Sequence, residues 1–275
     1  MESLDPGQSA AGRRVLLLAP HSDDEALGPG GSVACLTRAG ARVLPVILAR
    51  SAGVQGQVPP EQRREESLRC CEILGTDAPL FLDVPSSELR GDPLAAALRL
   101  AELVSDSGPF DAVLAPWPLE RHPTHRASLL AGVLAAADAA WMNPAADWWG
   151  YGAWDALPAA PGVFEIDVTA LRKAKTQAVA AHKSQMSMRA FGAAMASRDM
   201  AQAVFSKITG DEPRKAVERL MDMRPMIALV RAALDGVQGA ARVPAARDAL
   251  VSWVTAWTAN SARELWADAS PPSAH

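Results

Sequence analysis

Two stretches of this sequence carry side chains suited to metal chemistry. The first, Ala-Pro-His-Ser-Asp-Asp-Glu at residues 19–25, directly follows the apolar run 15–18. The second, residues 121–126, contains His122 and His125 three positions apart. An imidazole and adjacent carboxylates at the end of a buried strand are costly to bury without a partner. A divalent metal ion is the partner that these residue types favour.

Roles can be assigned within the two stretches. His21 and Asp24 are three residues apart, so a tight turn can point both at one ion, and His125 can add the third ligand. Two imidazoles and one carboxylate with an open fourth position form the ligand set of a catalytic zinc ion. Asp23 is then free to take a proton from the activated water, and His122 can face the other side of the substrate. This combination predicts a zinc hydrolase.

Each half of this site also has an ordinary structural interpretation. An Asp-Asp pair in a loop is usually a helix cap, and a histidine at a helix start is usually a cap or a satisfied polar group. The combination is harder to explain structurally, because it brings ligands, base and electrophile to one sheet edge.

The elements that position these side chains alternate between strand and helix. Continuous apolar runs predict strands, and amphipathic runs that end at glycine predict helices. The predicted strands are 14–19, 42–49, 80–84 and 112–115, and the helices between them are 30–39, 60–74 and 92–104. This order predicts an α/β fold with a mostly parallel sheet and helices on both faces. In such sheets the site lies at the carboxyl ends of the strands.

The second half of the chain differs in character. Residues 139–161 are rich in aromatic side chains among Gly, Pro and Ala, which fits either a substrate wall or a loop anchored on the core. Trp148 and Trp149 are the candidate substrate contacts there. A helical pattern covers 171–185, and further alanine-rich helical patterns at 188–205, 213–234 and 244–267 predict a C-terminal helical extension. Its tryptophans are candidates for a homo-oligomer contact: Trp253, Trp257 and Trp266.

Composition excludes several classes of partner. The 275 residues are 49% hydrophobic, enough for one sizeable core. A net charge of −4 and a pI near 5.8 argue against nucleic acid and favour a small-molecule substrate. The three cysteines form no disulfide framework, and no apolar segment suits a signal peptide or a membrane span. We therefore expect a cytoplasmic protein without a membrane span.

Four features together resemble a known family. Residues 19–25 are similar to the AHPDDE signature, and His122-Pro123-Thr124-His125 is similar to the HPDH motif, of the LmbE/PIG-L family of zinc-dependent N-acetylglucosaminyl deacetylases. Residues 63–66 with Leu74-Gly75 resemble the family's R-x-x-E helix, and residues 175–185 resemble its late K…HxSQ element. The resemblance covers residues 14–186. It implies a Rossmann-like fold and removal of an N-acyl group, usually acetyl, from an amino sugar.

The resemblance also implies residue roles. His21, Asp24 and His125 would be ligands of Zn²⁺, with Fe²⁺ as the alternative ion, and Asp23 would be the general base. His122 would stabilise the oxyanion or donate a proton to the leaving amine, and Arg63 would contact the substrate. The implied organisation is a flexible N-terminus at 1–12, a deacetylase domain at 13–186 and the helical extension at 187–275.

Three departures from the family pattern bear on function. Residues 82–87 lack the family's downstream acidic substrate contact, which leaves Glu88 or Asp92 as its candidate substitute. Ser22 replaces the motif proline, which removes no ligand. Thr124 stands where the family has Asp, so His122 lacks its adjacent carboxylate, and Glu120 or Asp155 is left as its candidate partner. Two alternative functions stay open: an amidase acting on a larger acyl group or conjugate, and a non-catalytic protein that binds a sugar or a metal.

Overall fold

The computed structural model describes residues 10–50, 58–137, 139–185, 188–204 and 216–267. Seven strands of the described residues form one sheet. The strands are β1 (Arg14–Ala19), β2 (Arg42–Arg50), β3 (Leu80–Pro85), β4 (Phe110–Pro116), β5 (Met142–Tyr151), β6 (Val163–Asp167) and β7 (Val217–Asp222). The helices are α1 (Asp24–Leu27), α2 (Gly30–Arg38), α3 (Pro60–Leu74), α4 (Ser86–Gly91), α5 (Pro93–Val104), α6 (Pro123–Ala136), α7 (Arg172–Ala181), α8 (Met188–Val204), α9 (Arg224–Leu234) and α10 (Arg242–Ala267).

The sheet has the strand order β3-β2-β1-β4-β5-β7-β6. Strands β1 to β5 run parallel, whereas β7 is antiparallel to both β5 and β6. The order reverses direction beside β1, where the chain continues to β2 on one side and later to β4 on the other. Open α/β sheets bind ligands at such switch points, outside the carboxyl ends of the strands.

Both faces of the sheet are covered. Leu16 and Leu18 of β1 pack into one core with α5, α6, α9 and α10, while Val15 and Leu17 pack into the other with α2, α3 and α7. All four side chains are at most 1% exposed, and burying each stabilises the fold by about 1.5–3 kcal/mol. The continuous apolar run therefore forms a strand with two buried faces. The predicted Rossmann-like α/β fold is confirmed.

The aromatic segment corrects one expectation. Instead of irregular chain, its middle forms β5 inside the sheet, in parallel register with β4. Trp148 packs into one core and Trp149 into the other, at 1% and 2% exposure. Aromatic side chains suit a strand buried on both faces, and the surrounding Gly, Pro and Ala obscured that signal. Neither tryptophan can form a substrate wall.

The helical prediction for 213–234 was also wrong in its first part. Residues 205–215 lie outside the described residues, and residues 217–222 form β7, which is inserted between β5 and β6. Hydrogen bonding to two neighbouring strands outweighs the weak local preference of this segment. The second part forms α9. The domain boundary at residue 186 stays a prediction, although β7 belongs to the sheet.

The N-terminal prediction falls partly outside the described residues, which begin at Ala10. Ala10 is 1% exposed, and the Gly12 backbone N–H donates to the Gly40 carbonyl at 3.0 Å. Residues 10–12 are therefore packed onto the domain.

A buried charge cluster ties β7 to the start of α2. Lys175 Nζ of α7 lies 2.6 Å from Glu218 Oε1 of β7 and 2.8 Å from Asp199 Oδ2 of α8. Glu218 also accepts hydrogen bonds from the Gly31 and Ser32 backbone N–H groups at 2.8 and 2.7 Å. A Cβ at Gly31 would lie 2.7 Å from Glu218 Oε1, so this contact requires glycine. The carboxylate thereby caps the N-terminus of α2.

No helix among the described residues combines the length and apolarity needed to cross a membrane. In α10, Trp253 and Trp257 stack at 6.0 Å, and both pack against the chain's own core. The side chain of Trp266 lies outside the described ones. A homo-oligomer stays a prediction.

The buried position of Trp148 leads to a stability prediction. Trp148→Ala should lower the free energy of unfolding by about 3–5 kcal/mol, because it leaves a cavity in the core. Trp148→Phe should lower the free energy of unfolding by a smaller amount, since it leaves a smaller cavity and removes an indole N–H that has no hydrogen-bond partner within the described structure. Urea unfolding of the full chain measures both. Leu98→Ala, at a position 66% exposed, is the control and should change stability by about 0.5 kcal/mol at most. Equal stability of Trp148→Ala and wild type would contradict the core position.

Candidate active site

The predicted site residues converge at the carboxyl edge of the sheet. The turn after β1 carries His21 and leads into α1, and the loop after β4 carries His122 at the start of α6. The chain after β5 comes to the same edge, because β5 lies parallel beside β4. Tyr151 at its end donates a hydrogen bond to the Leu18 carbonyl at 2.8 Å, and a Cβ at Gly28 would lie 2.5 Å from its ring. The glycine after α1 therefore lets the helix sit against this tyrosine.

The three predicted metal ligands meet at one carboxylate. His21 Nδ1 lies 3.2 Å and His125 Nε2 lies 3.1 Å from the same oxygen, Asp24 Oδ2. Asp24 and His125 are 1% and 0% exposed. The other carboxylate oxygen, Asp24 Oδ1, is buried and has no hydrogen-bond partner within the described residues. Two imidazole nitrogens and a buried carboxylate that converge on one point are what a cation site requires, so these residues fit a divalent metal ion.

The charges of this trio are strongly coupled. Burial by itself would raise the pKa of Asp24, but attraction to His125 and hydrogen bonds from His125 and His21 hold it well below its ordinary value. Burial by itself would lower the pKa of His125, but Asp24 and Glu120 raise it to about 10. The carboxylates of Asp24 and Glu120 thus favour a positive charge on the ring of His125 between them. A bound cation supplies that charge and displaces the proton.

Glu120 orients His125 from the opposite side. His125 Nδ1 donates to Glu120 Oε2 at 3.1 Å, which leaves Nε2 directed at Asp24. A carboxylate on the second ring nitrogen fixes the tautomer of a metal-binding histidine. Glu120 is fully buried and also accepts hydrogen bonds from the backbone N–H groups of Ala153 and Trp154 at 2.7 and 3.1 Å.

Asp23 lies beside the trio in a strained backbone conformation. Its φ of 140° is in the region that favours glycine, and such strain persists only where the surroundings enforce it. Its backbone N–H donates to Glu25 Oε2 at 2.7 Å, and its Oδ2 lies 3.6 Å from Arg63 Nη2. Burial and the neighbouring Asp24 charge raise the pKa of Asp23 to about 7. A carboxylate tuned in this way can take up and release a proton near neutral pH.

His122 completes a group of three imidazoles. Its ring centroid lies 5.1 Å from that of His21 and 4.7 Å from that of His125. One nitrogen from each ring lies within 4.8 Å of the others, so these histidines form a second candidate ligand set. Burial, followed by the charges of His21 and His125, lowers the pKa of His122 to about 4. His122 is therefore a neutral imidazole at pH 7.

Neither candidate carboxylate pairs with His122. Glu120 contacts His125 instead, and Asp155 binds the Arg121 backbone N–H and Nε at 2.7 and 2.6 Å. His122 Nδ1 has no hydrogen-bond partner within the described residues. The missing carboxylate at position 124 is thus not replaced by either residue.

The structure corrects the remaining predicted contacts. Arg63 is 3% exposed and lies behind the turn after β1, where it donates to the Ser22 carbonyl and lies 3.3 Å from Ser184 Oγ. It therefore holds the turn and Asp23, and at 3% exposure it offers little surface for the predicted substrate contact. Trp148 and Trp149 lie in the two cores, as described above.

Sequence reasoning paired Glu120 with the wrong histidine and gave His182 no role. Glu120 stands five residues before His125, and an acidic residue near a ligand histidine was the available signal. His182 is fully buried, with Nε2 lying 3.2 Å from Glu25 Oε1. Cys70 joins them, and the three form another cluster with metal-ligand chemistry. The cluster supports Asp23 through the Glu25 carboxylate.

Comparison with known proteins shows which family and which solved structures this chain resembles. Residues 16–136 match the family model described as PIG-L: GlcNAc-PI de-N-acetylase. A diacetylchitobiose deacetylase of Thermococcus kodakarensis is 31% identical over 141 residues, covering 48% of this chain and 52% of the relative. A 2'-N-acetylparomamine deacetylase of Streptomyces fradiae is 32% identical over 135 residues, covering 41% of this chain and 48% of the relative. The match thus spans about half the length of these curated relatives.

A solved structure extends the likeness of the fold. The N,N'-diacetylchitobiose deacetylase from Pyrococcus horikoshii superposes with a TM-score of 0.66 at 19% identity, covering 83% of this chain and 89% of that one. The fold and the position of the polar cluster define a Rossmann-like α/β protein with its site at the carboxyl edge of the sheet. Within that class, residues 16–136 match the PIG-L family model, and the predicted resemblance is confirmed.

Two ligand sets share His21 and His125, and two variants distinguish them. If Asp24 is the third ligand, Asp24→Asn should weaken metal binding by about tenfold or more, because the only anionic ligand is lost. His122→Ala should then bind metal as wild type does. Elemental analysis after dialysis against equal zinc measures both. Full zinc content in Asp24→Asn with loss in His122→Ala would assign the metal to the three histidines.

Proposed function

We propose that the protein is a metal-dependent N-deacetylase of amino sugars. The observation that carries the proposal is the convergence of His21 and His125 on Asp24, with Asp23 beside them at a pKa of about 7. A buried ligand set next to a carboxylate that can exchange protons is what amide hydrolysis needs.

His21, Asp24 and His125 would hold the ion, with zinc as the proposed metal and ferrous iron as the alternative. Such an ion, when bound, lowers the pKa of a water molecule and polarises the amide oxygen. Glu120 keeps the His125 lone pair directed into the site, and attraction to His125 with hydrogen bonds from His125 and His21 keeps the Asp24 carboxylate ionised beside it.

Asp23 is the proposed general base. It accepts one proton as the water oxygen bonds to the amide carbon. It then returns that proton to the amide nitrogen as the C–N bond breaks, which releases the free amine and acetic acid, and the acid loses its proton to solvent to give acetate. A pKa near 7 suits both steps. Arg63 and the Glu25 carboxylate position Asp23 through its side chain and its backbone N–H.

His122 is the proposed oxyanion donor. A neutral imidazole can donate one N–H to the oxygen on which negative charge develops, and such donors contribute strongly inside a buried site. The lowered pKa of His122 favours the role of a neutral hydrogen-bond donor over that of a protonated acid.

The substrate class follows from the relatives. Their names specify deacetylation of diacetylchitobiose and of 2'-N-acetylparomamine, and the family description names GlcNAc-PI. The group that these share is an acetamide on a sugar, which we propose as the substrate here. An amidase acting on a larger acyl group is the alternative. The cytoplasmic location stays a prediction.

Asp23→Asn tests the mechanism. Wild-type protein loaded with zinc should release acetate from diacetylchitobiose or N-acetylglucosamine, and Asp23→Asn should lose about 100-fold or more in kcat while keeping its metal. Because the base acts when deprotonated, kcat/KM of the wild type should fall as pH drops through about 7. A bound cation favours the deprotonated form of Asp23 and therefore moves the acid limb of the kcat/KM profile to lower pH. Glu102→Gln, at an exposed position in α5, is the control and should keep wild-type kcat/KM.

Three outcomes would contradict parts of this proposal. Absence of acetate release from every amino sugar, with metal bound, rejects the deacetylase. Faster turnover of long-chain N-acyl glucosamine than of the acetyl compound favours the amidase alternative. Near-wild-type activity of Asp23→Asn rejects Asp23 as the base.

A second pair of variants tests His122. His122→Ala should lower kcat by about 100-fold or more, because the oxyanion loses its donor, and His122→Gln should recover part of the rate through its amide N–H. Since His122 is already neutral, neither variant should shift the alkaline limb of the kcat/KM profile between pH 7 and 9. A shift of that limb in both variants would show that a protonated His122 acts as the acid.

A further inference from the structure

One tryptophan of the aromatic segment differs from the rest. Trp154 is 44% exposed, whereas Trp141, Trp148 and Trp149 are between 1% and 7% exposed. It follows β5 at the edge of the sheet that carries the metal-ligand trio. Its ring centroid lies 5.6 Å from that of His122, with the two planes inclined by 31°. A large, accessible aromatic surface therefore borders the proposed oxyanion donor.

Trp154 is held in place through the backbone. The N–H groups of residues 153, 154 and 155 all donate to Glu120 Oε1, at 2.7, 3.1 and 3.3 Å. The Asp155 side chain binds Arg121 on the loop after β4. Two carboxylates thus fasten the chain at Trp154 to the loop that carries His122. A group held in its bound position before the ligand arrives loses little entropy on binding.

The same carboxylate serves Trp154 and His125. Glu120 Oε2 accepts from His125 Nδ1 at 3.1 Å while Glu120 Oε1 holds the backbone at Trp154. The distance between the aromatic surface and the site of bond cleavage is therefore fixed by one buried side chain. Such a coupling suits a group that positions the body of the substrate relative to the reacting amide.

We propose that Trp154 is the specificity-determining residue that binds the pyranose ring of the amino sugar by stacking against its C–H face. This inference rests on the proposed function. An aromatic ring offers a flat apolar surface at low conformational cost, and a pyranose offers a matching face of C–H groups. The acetamide then points towards His122 and Asp23, on the inner side of the indole.

The test compares Trp154→Ala with Trp154→Phe in the full chain loaded with zinc. Trp154→Ala should raise KM for diacetylchitobiose about tenfold with little change in kcat, because binding of the sugar body is lost and the reacting groups remain. Trp154→Phe should recover most of the affinity. The backbone N–H at position 154 persists in both variants, so the Glu120 contacts and metal content should be unchanged. Inhibition by acetate, which probes the acyl side alone, should also be unchanged.

Saturation-transfer NMR with N-acetylglucosamine gives a readout independent of turnover. The pyranose ring protons should receive saturation in wild type and Trp154→Phe, and lose it in Trp154→Ala. Leu98→Ala is the control for an exposed apolar residue away from the site. Sugar binding without turnover would reject the deacetylase while leaving the role of Trp154 intact. Wild-type KM and wild-type saturation transfer in Trp154→Ala would overturn the proposal for Trp154, as would a loss of kcat and metal without a change in KM.

Discussion

Three consecutive carboxylates, Asp23, Asp24 and Glu25, are packed into the short turn after β1, and this is the constraint on which the site depends. Buried like charges repel each other and lose hydration, so they are tolerated only with partners. Each has one cationic or ionisable partner from a different part of the chain: Asp23 has Arg63 at 3.6 Å, Asp24 has His125 at 3.1 Å, and Glu25 has His182 at 3.2 Å. The turn thereby fixes α3, α6 and the end of α7 around itself.

The three partnerships give the carboxylates different chemical properties. Asp24 has a pKa far below the ordinary value, because two imidazoles favour its ionised form. Asp23, at 3.6 Å from a single guanidinium, has a pKa raised to about 7. Adjacent residues of one type thus differ in protonation because their surroundings differ. A permanent anion and an exchangeable proton at neighbouring positions are the two requirements of the proposed chemistry.

Much of the fold could be predicted from sequence because its first half follows simple patterns. The runs at 14–19 and 60–74 give β1 and α3 with the predicted bounds. The motif spacing also brought His21, Asp24 and His125 together, since loops after parallel strands share an edge. What could not be predicted depends on tertiary contacts. β5 and β7 are specified by pairing with neighbouring strands rather than by local periodicity.

The same reasoning explains the errors within the site. Arg63 was interpreted as a substrate contact, because a sequence does not reveal whether a guanidinium points outwards or beneath a turn. Glu120 was proposed as the carboxylate partner of His122, but it accepts a hydrogen bond from His125 instead. The two histidines are close neighbours, so the sequence alone could not show which of them Glu120 contacts. The sequence left open whether Trp148 and Trp149 form a substrate wall or anchor the chain on the core, and their alternation on a strand places them in opposite cores. Type and spacing identify candidate groups, and the fold decides their partners.

The position of β7 has a consequence for synthesis on the ribosome. β6 pairs only with β7 within the described sheet, so it has no strand to join when it leaves the exit tunnel. Lys175 follows soon afterwards, and Glu218, to which its ammonium group is bound, has not yet been made. The parallel strands β1 to β4 can assemble as they emerge, but the capping of α2 by Glu218 waits for the later segment. During synthesis, the start of α2 can therefore acquire its Glu218 cap only after translation has passed β7.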